Sequence, residues 1–129
     1  KKCLFNMLKG YEKLTEELKD DEISKIDSIV KGIAARTGKE NAVSSKVICK
    51  SMNLDPVRLR KIIHHIRLKG LLFGLCSSSK GYYTARTLDE LEECIISLKQ
   101  RIRSQVDVLN ALEGQTLMFG GNGQLTLFE

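Results

Sequence analysis

The sequence predicts a mainly α-helical protein with a small β-hairpin, arranged as helices, a hairpin and a long C-terminal helix. Apolar residues recur at the three- and four-residue steps of amphipathic helices over most of the 129 residues. Helix start and stop signals divide these stretches into separate elements. Between residues 71 and 85 the pattern changes to two short strand-like runs around a Ser/Gly turn.

The first 20 residues carry an apolar stripe at Leu4, Leu8, Tyr11, Leu14 and Leu18. This spacing predicts an N-terminal helix over residues 1–20. A central domain is predicted for residues 21–87. Its first helix follows the acidic Asp20-Asp21-Glu22, contains an Ile-rich stripe and ends near Gly38, where glycine can adopt a left-handed conformation.

A short second helix is predicted to begin at an N-cap provided by Ser44 or Ser45. It runs to Met52 and is expected to bury Val47 and Ile48. Its predicted end lies beside Asn53, a residue type that accepts a left-handed conformation.

The third helix has the clearest boundary signals. Asp55 can cap free backbone amides, Pro56 suits the first helical position, and Gly70 can end the helix. The predicted core face of this helix consists of Leu59, Ile62, Ile63 and Ile66.

The hairpin is predicted from strands at residues 71–76 and 82–85 around a polar tip at 77–81. Residues 88–113 then predict a long helix that ends at Gly114. Its coiled-coil-like heptad seam is interrupted by Gln105 and otherwise comprises Leu91, Ile95, Leu98, Ile102, Leu109 and Leu112. The seam predicts a homodimer, with packing against the N-terminal helix of the same subunit as the alternative.

Basic charge is concentrated in the middle of the chain. Residues 31–88 carry twelve Lys and Arg side chains against Glu40 and Asp55, a balance of +10. The flanking residues 1–30 and 89–129 have balances of −1 and −4. Such a basic centre favours nucleic acid as a partner, because each cation near a phosphate releases condensed counterions. Charge alone leaves a solvated basic surface as an equal alternative.

Three helices followed by a hairpin is the order of a winged helix-turn-helix, and the basic segment coincides with it. In this fold the third helix enters the major groove of double-stranded DNA. Arg58, Arg60, Lys61 and His64 on that helix are the predicted base or near-base contacts, and Lys80 lies at the tip of the hairpin, or wing. The complete set of predicted DNA-binding residues is Lys46, Lys50, Arg58, Arg60, Lys61, His64, Arg67 and Lys80.

One combination of segments extends over residues 29–112. It consists of Glu-Asn-Ala-Val at 40–43, a short helix, an Arg-rich helix, a Ser-rich turn with Gly-Tyr-Tyr at 77–83, and a long charged helix. In this combination the chain resembles winged-helix proteins encoded by bacteriophages and prophages of Gram-positive bacteria. The resemblance implies a regulatory or replication protein in the bacterial cytoplasm, and it transfers no catalytic residue.

Residues 114–129 predict a flexible tail containing Gly120-Gly121-Asn122-Gly123. The following Gln124, Leu125, Leu127 and Phe128 resemble the short peptide with which bacterial replication and repair proteins bind the sliding clamp. Residues 115–119 form a degenerate copy of that peptide. The alternative is that one or both segments pair as a strand.

Enzymatic and metal-binding functions are not expected. The serines lack the Gly-x-Ser-x-Gly context of a hydrolase, and Gly38-Lys39 lacks the rest of a phosphate-binding loop. The cysteines form no Cys-x-x-Cys pair, and the adjacent His64 and His65 diverge on a helix, so we expect no metal or cofactor. With no apolar run of membrane-spanning length, we expect a cytoplasmic protein. A protein-interaction module that acts on a host replication protein without binding DNA is the alternative function.

Overall fold

The computed structural model describes residues 17–119. Its helices are α1 (Asp20–Ala34), α2 (Ser45–Met52), α3 (Pro56–Lys69) and α4 (Leu88–Phe119), and its strands are β1 (Leu75–Ser78) and β2 (Gly81–Thr84). The predicted fold class is thereby confirmed: helices, an antiparallel hairpin and a long C-terminal helix follow the order of a winged helix-turn-helix. The chain divides into two units, Lys1–Glu92 and Glu93–Glu129. Residues 1–16 of the predicted N-terminal helix lie outside the described range, and its residues 17–19 are not helical.

The boundaries of α2 and α3 follow from local side-chain chemistry, as predicted. Ser44 accepts a hydrogen bond from the Val47 backbone N–H at 3.2 Å, and Asp55 accepts one from the Arg58 N–H at 2.8 Å. Asn53 and Gly70 end the two helices in left-handed conformations, with φ values of 54° and 64°.

The core of the first unit forms where α1, α2, α3 and the hairpin meet. Its buried members are Ile29, Ile33, Ile48, Leu54, Leu59, Ile62, Ile63, Ile66 and Leu75. All four residues predicted for the core face of α3 are among them. The prediction that Val47 is buried is wrong, since its side chain is 55% exposed. Its neighbour Ile48 faces the core instead, and successive residues on a helix point about 100° apart.

The hairpin begins later than predicted. Leu75 pairs with Thr84 and Ser78 pairs with Gly81. Residues 71–74 form a turn instead, in which Gly74 takes a φ of 77°.

The segment between α1 and α2 extends this hairpin by backbone pairing. The Val43 N–H donates to the Tyr82 carbonyl and the Tyr82 N–H donates to the Val43 carbonyl, both at 2.9 Å. A Cβ atom on Gly81 would lie 2.0 Å from the Val43 carbonyl oxygen, so only glycine permits this approach. The wing is therefore attached to the start of α2.

Helix α4 continues through the predicted stop at Gly114 and reaches Phe119, so that boundary was wrong. Gly114 keeps a helical conformation because glycine permits a left-handed stop without requiring one. Within residues 17–119, no helix combines the length and the apolar character needed to cross a membrane.

Candidate nucleic-acid interface

One side of α3 faces α1 and carries an ion-pair cluster around a buried carboxylate. Glu22 of α1 is 1% exposed and accepts hydrogen bonds from Lys61 Nζ at 2.8 Å and Arg58 Nε at 3.0 Å. Its Oε1 also accepts the Lys19 backbone N–H at 2.8 Å. Arg58 pairs in addition with Asp21. We call Glu22, Arg58, Lys61 and Asp21 the α1–α3 ion-pair cluster.

The pKa of Glu22 reflects this environment. Burial raises the pKa of the carboxyl group, but hydrogen bonds from Lys61, the Lys19 backbone and Arg58 lower it, and the balance leaves it at about 2. The carboxylate is therefore ionised in the folded protein at neutral pH.

The prediction that Lys61 contacts DNA is corrected by this geometry. The Lys61 side chain is 4% exposed and is satisfied by Glu22 inside the protein, so it is not available at the surface. Arg58 is 31% exposed and is bound by two carboxylates. A helical wheel of α3 cannot reveal this, because the compensating acids come from α1. Glu22 itself was missed, since an acid in a first helical turn usually faces solvent.

The other side of α3 carries Arg60, His64 and Arg67 at positions i, i+4 and i+7, which lie on one helical face. Arg60 and Arg67 are exposed and His64 is partly buried. The Arg67 guanidinium also donates to the Leu75 carbonyl and to Ser77 Oγ, each at 3.3 Å. Arg67 therefore links α3 to the first strand of the hairpin.

A cleft of about 390 Å³ separates the start of α2 from the tip of the hairpin. Its lining is rich in serine hydroxyls and includes two lysines: Ser44, Ser45, Lys46, Ser77, Ser78, Ser79, Lys80, Gly81 and Tyr82. Lys46 and Lys80 are both exposed. Hydroxyl groups and ammonium groups that face one cleft are donors suited to phosphate oxygens.

Tyr82 connects this cleft with α3. Burial raises the pKa of the Tyr82 hydroxyl, while the positive charges of Arg67 and Arg60 act in the opposite direction. Arg67 also contacts Ser77, which lines the cleft. Through Arg67, α3 is therefore joined to the cleft that Lys46 and Lys80 line.

We call this region the basic surface and define it as Lys46, Lys50, Arg60, His64, Arg67 and Lys80. Lys50 belongs to it because it follows Lys46 by one turn of α2. Lys46, Lys50, Arg60 and Lys80 engage in no side-chain hydrogen bond or ion pair with other described residues. Six of the eight predicted DNA-binding residues are thus assigned to the basic surface, whereas Arg58 and Lys61 belong to the α1–α3 ion-pair cluster.

Two further predictions concern metal binding and the C-terminal tail. In the described part of the chain, no group of three or more His, Cys, Asp or Glu residues is placed to hold a metal ion. The predicted clamp-binding residues Gln124, Leu125, Leu127 and Phe128 lie outside the described residues. The degenerate copy at 115–119 is helical, which excludes the strand alternative for that segment.

The chain matches no protein-family model, no curated protein and no solved structure. Function is therefore inferred from the residues and their arrangement.

Proposed function

We propose that this protein binds double-stranded DNA through the basic surface and acts as a phage-type regulatory or replication protein without enzymatic activity. The observation that carries the proposal is the sorting of cations on α3. The cations that face α1 are neutralised by Glu22 and Asp21, whereas Arg60 and Arg67 on the other side have no acidic partner among the described residues and keep their charge for an external anion.

The basic surface suggests a division of tasks on the duplex. Lys46, Lys50 and Lys80 flank or line the cleft and would neutralise phosphates, which positions the protein without reading sequence. Arg60, His64 and Arg67 share a face of α3 and would reach into the major groove, where Arg pairs with guanine O6 and N7.

The C-terminal tail would tether the protein to the replication machinery. We include binding of Gln124, Leu125, Leu127 and Phe128 to the bacterial sliding clamp in the proposal, on the resemblance of this segment to clamp-binding peptides. The Gly-rich residues 120–123 would allow the peptide to reach outward. A structural strand is the alternative for residues 124–128.

A protein-interaction module is the second candidate, and one observation favours it. A groove of about 160 Å³ lies between α1 and α2 and is lined by apolar groups that include Val43, Val47 and Met52. The exposed Val47 gives this groove an apolar rim. A host replication protein that binds there would require no DNA.

The proposal is tested by comparing two triple variants in binding to a fluorescent duplex of random sequence. The first is Lys46→Ala, Arg60→Ala and Lys80→Ala on the basic surface. The matched control is Lys31→Ala, Lys99→Ala and Arg103→Ala, which removes the same number of Lys and Arg side chains from α1 and α4. All six residues are exposed, so both variants should fold.

We expect the basic-surface variant to lose about 10-fold or more in affinity, while the control changes little. Equal losses in the two variants would mean that net charge alone attracts DNA. Unchanged affinity of a folded basic-surface variant would remove this surface from the account.

A further inference from the structure

Helix α4 exposes a long apolar face. The seam side chains from Ile95 onward are each about half exposed: Ile95 43%, Leu98 50%, Ile102 53%, Leu109 52%, Leu112 56% and Phe119 63%. Val106 and Val108 widen the stripe on either side, at 44% and 53%. An apolar face of this length, although interrupted by Gln105 and Thr116, exceeds what the surface of a monomer usually presents. It therefore indicates an interface.

We propose that this face binds a second copy of the same chain, and that the two α4 helices run antiparallel. This inference goes beyond DNA binding and depends on neither the basic surface nor the tail. The seam keeps the 4-3 spacing of a coiled coil from Leu88 to Phe119, a length of about 48 Å at the usual helical rise.

The spacing of the seam allows one antiparallel register over the whole helix. When Leu98 of one copy lies opposite Leu109 of the second copy, every other seam residue also meets a seam residue. The resulting pairs, from the ends to the dyad, are Leu88 with Phe119, Leu91 with Thr116, Ile95 with Leu112, Leu98 with Leu109, and Ile102 with Gln105. The two Gln105 amides then lie on either side of the dyad, close to each other.

Charge favours this orientation over the parallel one. The first turns of α4 carry four acids: Asp89, Glu90, Glu92 and Glu93. In a parallel pair these turns lie at the same end of the coiled coil as the same four acids of the second copy, and this concentration of like charge is destabilising. In the antiparallel register they lie beside residues 114–118, which carry no charge, and near one acid, Glu113.

The residues that flank the seam contribute less to the choice between the antiparallel and the parallel orientation. In the antiparallel register Lys99 lies near Glu113 of the second copy, but Glu92 lies near the same Glu113, so these terms largely offset each other. In the parallel pairing the flanking positions bring Cys94 beside Lys99 and Arg101 beside Val106, which supplies no ion pair. The acidic first turns therefore decide the orientation.

The available area reaches the lower limit for a specific contact with a second copy. A helix about 48 Å long and about 10 Å wide presents a strip of roughly 500 Å² before side-chain relief is counted. Two such strips total about 1,000 Å², which is about the minimum for a specific interface and below the standard size of about 1,600 Å². The alternative occupant that the sequence offers for this face is the apolar stripe of residues 1–18 in the same chain.

The first measurement is sedimentation equilibrium of the full chain without DNA, at tens of micromolar. We expect a dimer. The double variant Leu98→Asp and Leu109→Asp should be monomeric with an unchanged fold, because both side chains are half exposed. A monomeric parent protein would overturn the proposal. The apolar face of α4 would then bind residues 1–18 of the same chain or a different partner.

The second measurement is disulfide cross-linking, which determines whether the two α4 helices run antiparallel or parallel. All variants carry Cys94→Ser, because Cys94 is a free thiol on α4. The combined variant Leu98→Cys and Leu109→Cys should form covalent dimers on mild oxidation, and each single variant should not. Efficient cross-linking of both single variants would establish a parallel pair and contradict the proposal. The parent with Cys94→Ser controls for Cys49 and the other native thiols.

Discussion

Glu22 carries a carboxylate that is buried in the folded protein and paired with two cations of α3. It lies between α1 and α3, and all of its hydrogen bonds come from charged side chains or a backbone N–H. A buried ion pair adds little stability compared with apolar packing, but removal of one partner leaves an uncompensated charge in the interior.

We expect Lys61→Met to lower the free energy of unfolding by about 3 kcal/mol, because Glu22 would lose its buried cation. Urea denaturation at neutral pH followed by circular dichroism measures this change. The matched control is Arg60→Met on the opposite side of α3, which should cost less than about 1 kcal/mol. Adding Glu22→Gln to Lys61→Met should restore part of the loss, and a strictly additive loss would contradict the coupling.

The same cluster should make stability depend on pH in the acid range. The pKa of Glu22 is about 2 in the folded protein and about 4.5 for an ordinary glutamate, so the unfolded chain binds more protons between these values. The contribution of ionised Glu22 to the free energy of unfolding is therefore fully present above about pH 5 and is lost as the pH falls toward 2. Glu22→Gln should flatten the fall in unfolding free energy over this range, and an equally steep fall in this variant would contradict the assignment.

The α1–α3 ion-pair cluster marks the limit of prediction at the residue scale. Asp55 and Ser44 could be identified as caps because their partners lie three residues away in the sequence. Lys61 could not be recognised as a core residue, since its partner is 39 residues away on another helix. Local spacing identifies the face of a helix but not the charge that lies opposite it.

At the scale of elements, the wing depends on a close backbone approach. Gly81 has a φ of 134° and lies against the Val43 carbonyl, which joins the wing to the segment that precedes α2. Because Lys46 and Lys80 face one cleft, their spacing depends on this junction.

We expect Gly81→Ala to destabilise the protein by about 2–4 kcal/mol, through both backbone strain and collision with Val43. It should also weaken DNA binding, because the wing would move away from α2. Gly32→Ala is the matched control: a Cβ atom there meets nothing within 4 Å, so this change in helix α1 should stabilise the protein slightly. Thermal unfolding of both variants checks the pair, and equal effects would contradict the role of Gly81.

The tail is a further element with its own test. A peptide covering residues 123–129 should bind purified bacterial sliding clamp with micromolar affinity, and Phe128→Ala should abolish the binding because this ring would fill an apolar cleft. Isothermal titration calorimetry measures both peptides. If neither the peptide nor the full chain binds, the clamp is removed from the proposal.

Element boundaries were predictable where a specific residue type enforces them. Asp55, Pro56 and Gly70 define α3 correctly, whereas three other boundaries were misplaced: the end of α1, predicted near Gly38 and observed at Ala34, the start of the hairpin and the end of α4. In the hairpin and in α4 the deciding residue was a glycine. Gly74 turned residues 71–74 out of the strand, and Gly114 remained helical, because the conformation of a glycine is set by its surroundings.

At the scale of the whole molecule, the fold distributes the cations of residues 31–88 among different environments. Arg58 and Lys61 pair with acids of α1, five Lys and Arg side chains belong to the basic surface across α2, α3 and the wing, and the other five lie elsewhere, such as Arg86, which pairs with Glu40. The sequence predicted the segregation of charge along the chain, but only the packing of α1 against α3 separates structural cations from those left for a partner.

The central claim is that the basic surface binds double-stranded DNA, and the salt dependence of duplex binding by the full chain tests it most directly. Each phosphate contact contributes about −0.9 to the slope of log affinity against log salt concentration, so Lys46, Lys50 and Lys80 predict a slope of about −3 or steeper per chain. Fluorescence anisotropy with a labelled random-sequence duplex at several salt concentrations gives this slope. No binding at low salt, or binding that does not weaken as salt rises, would contradict the DNA-binding account and favour the protein-interaction module.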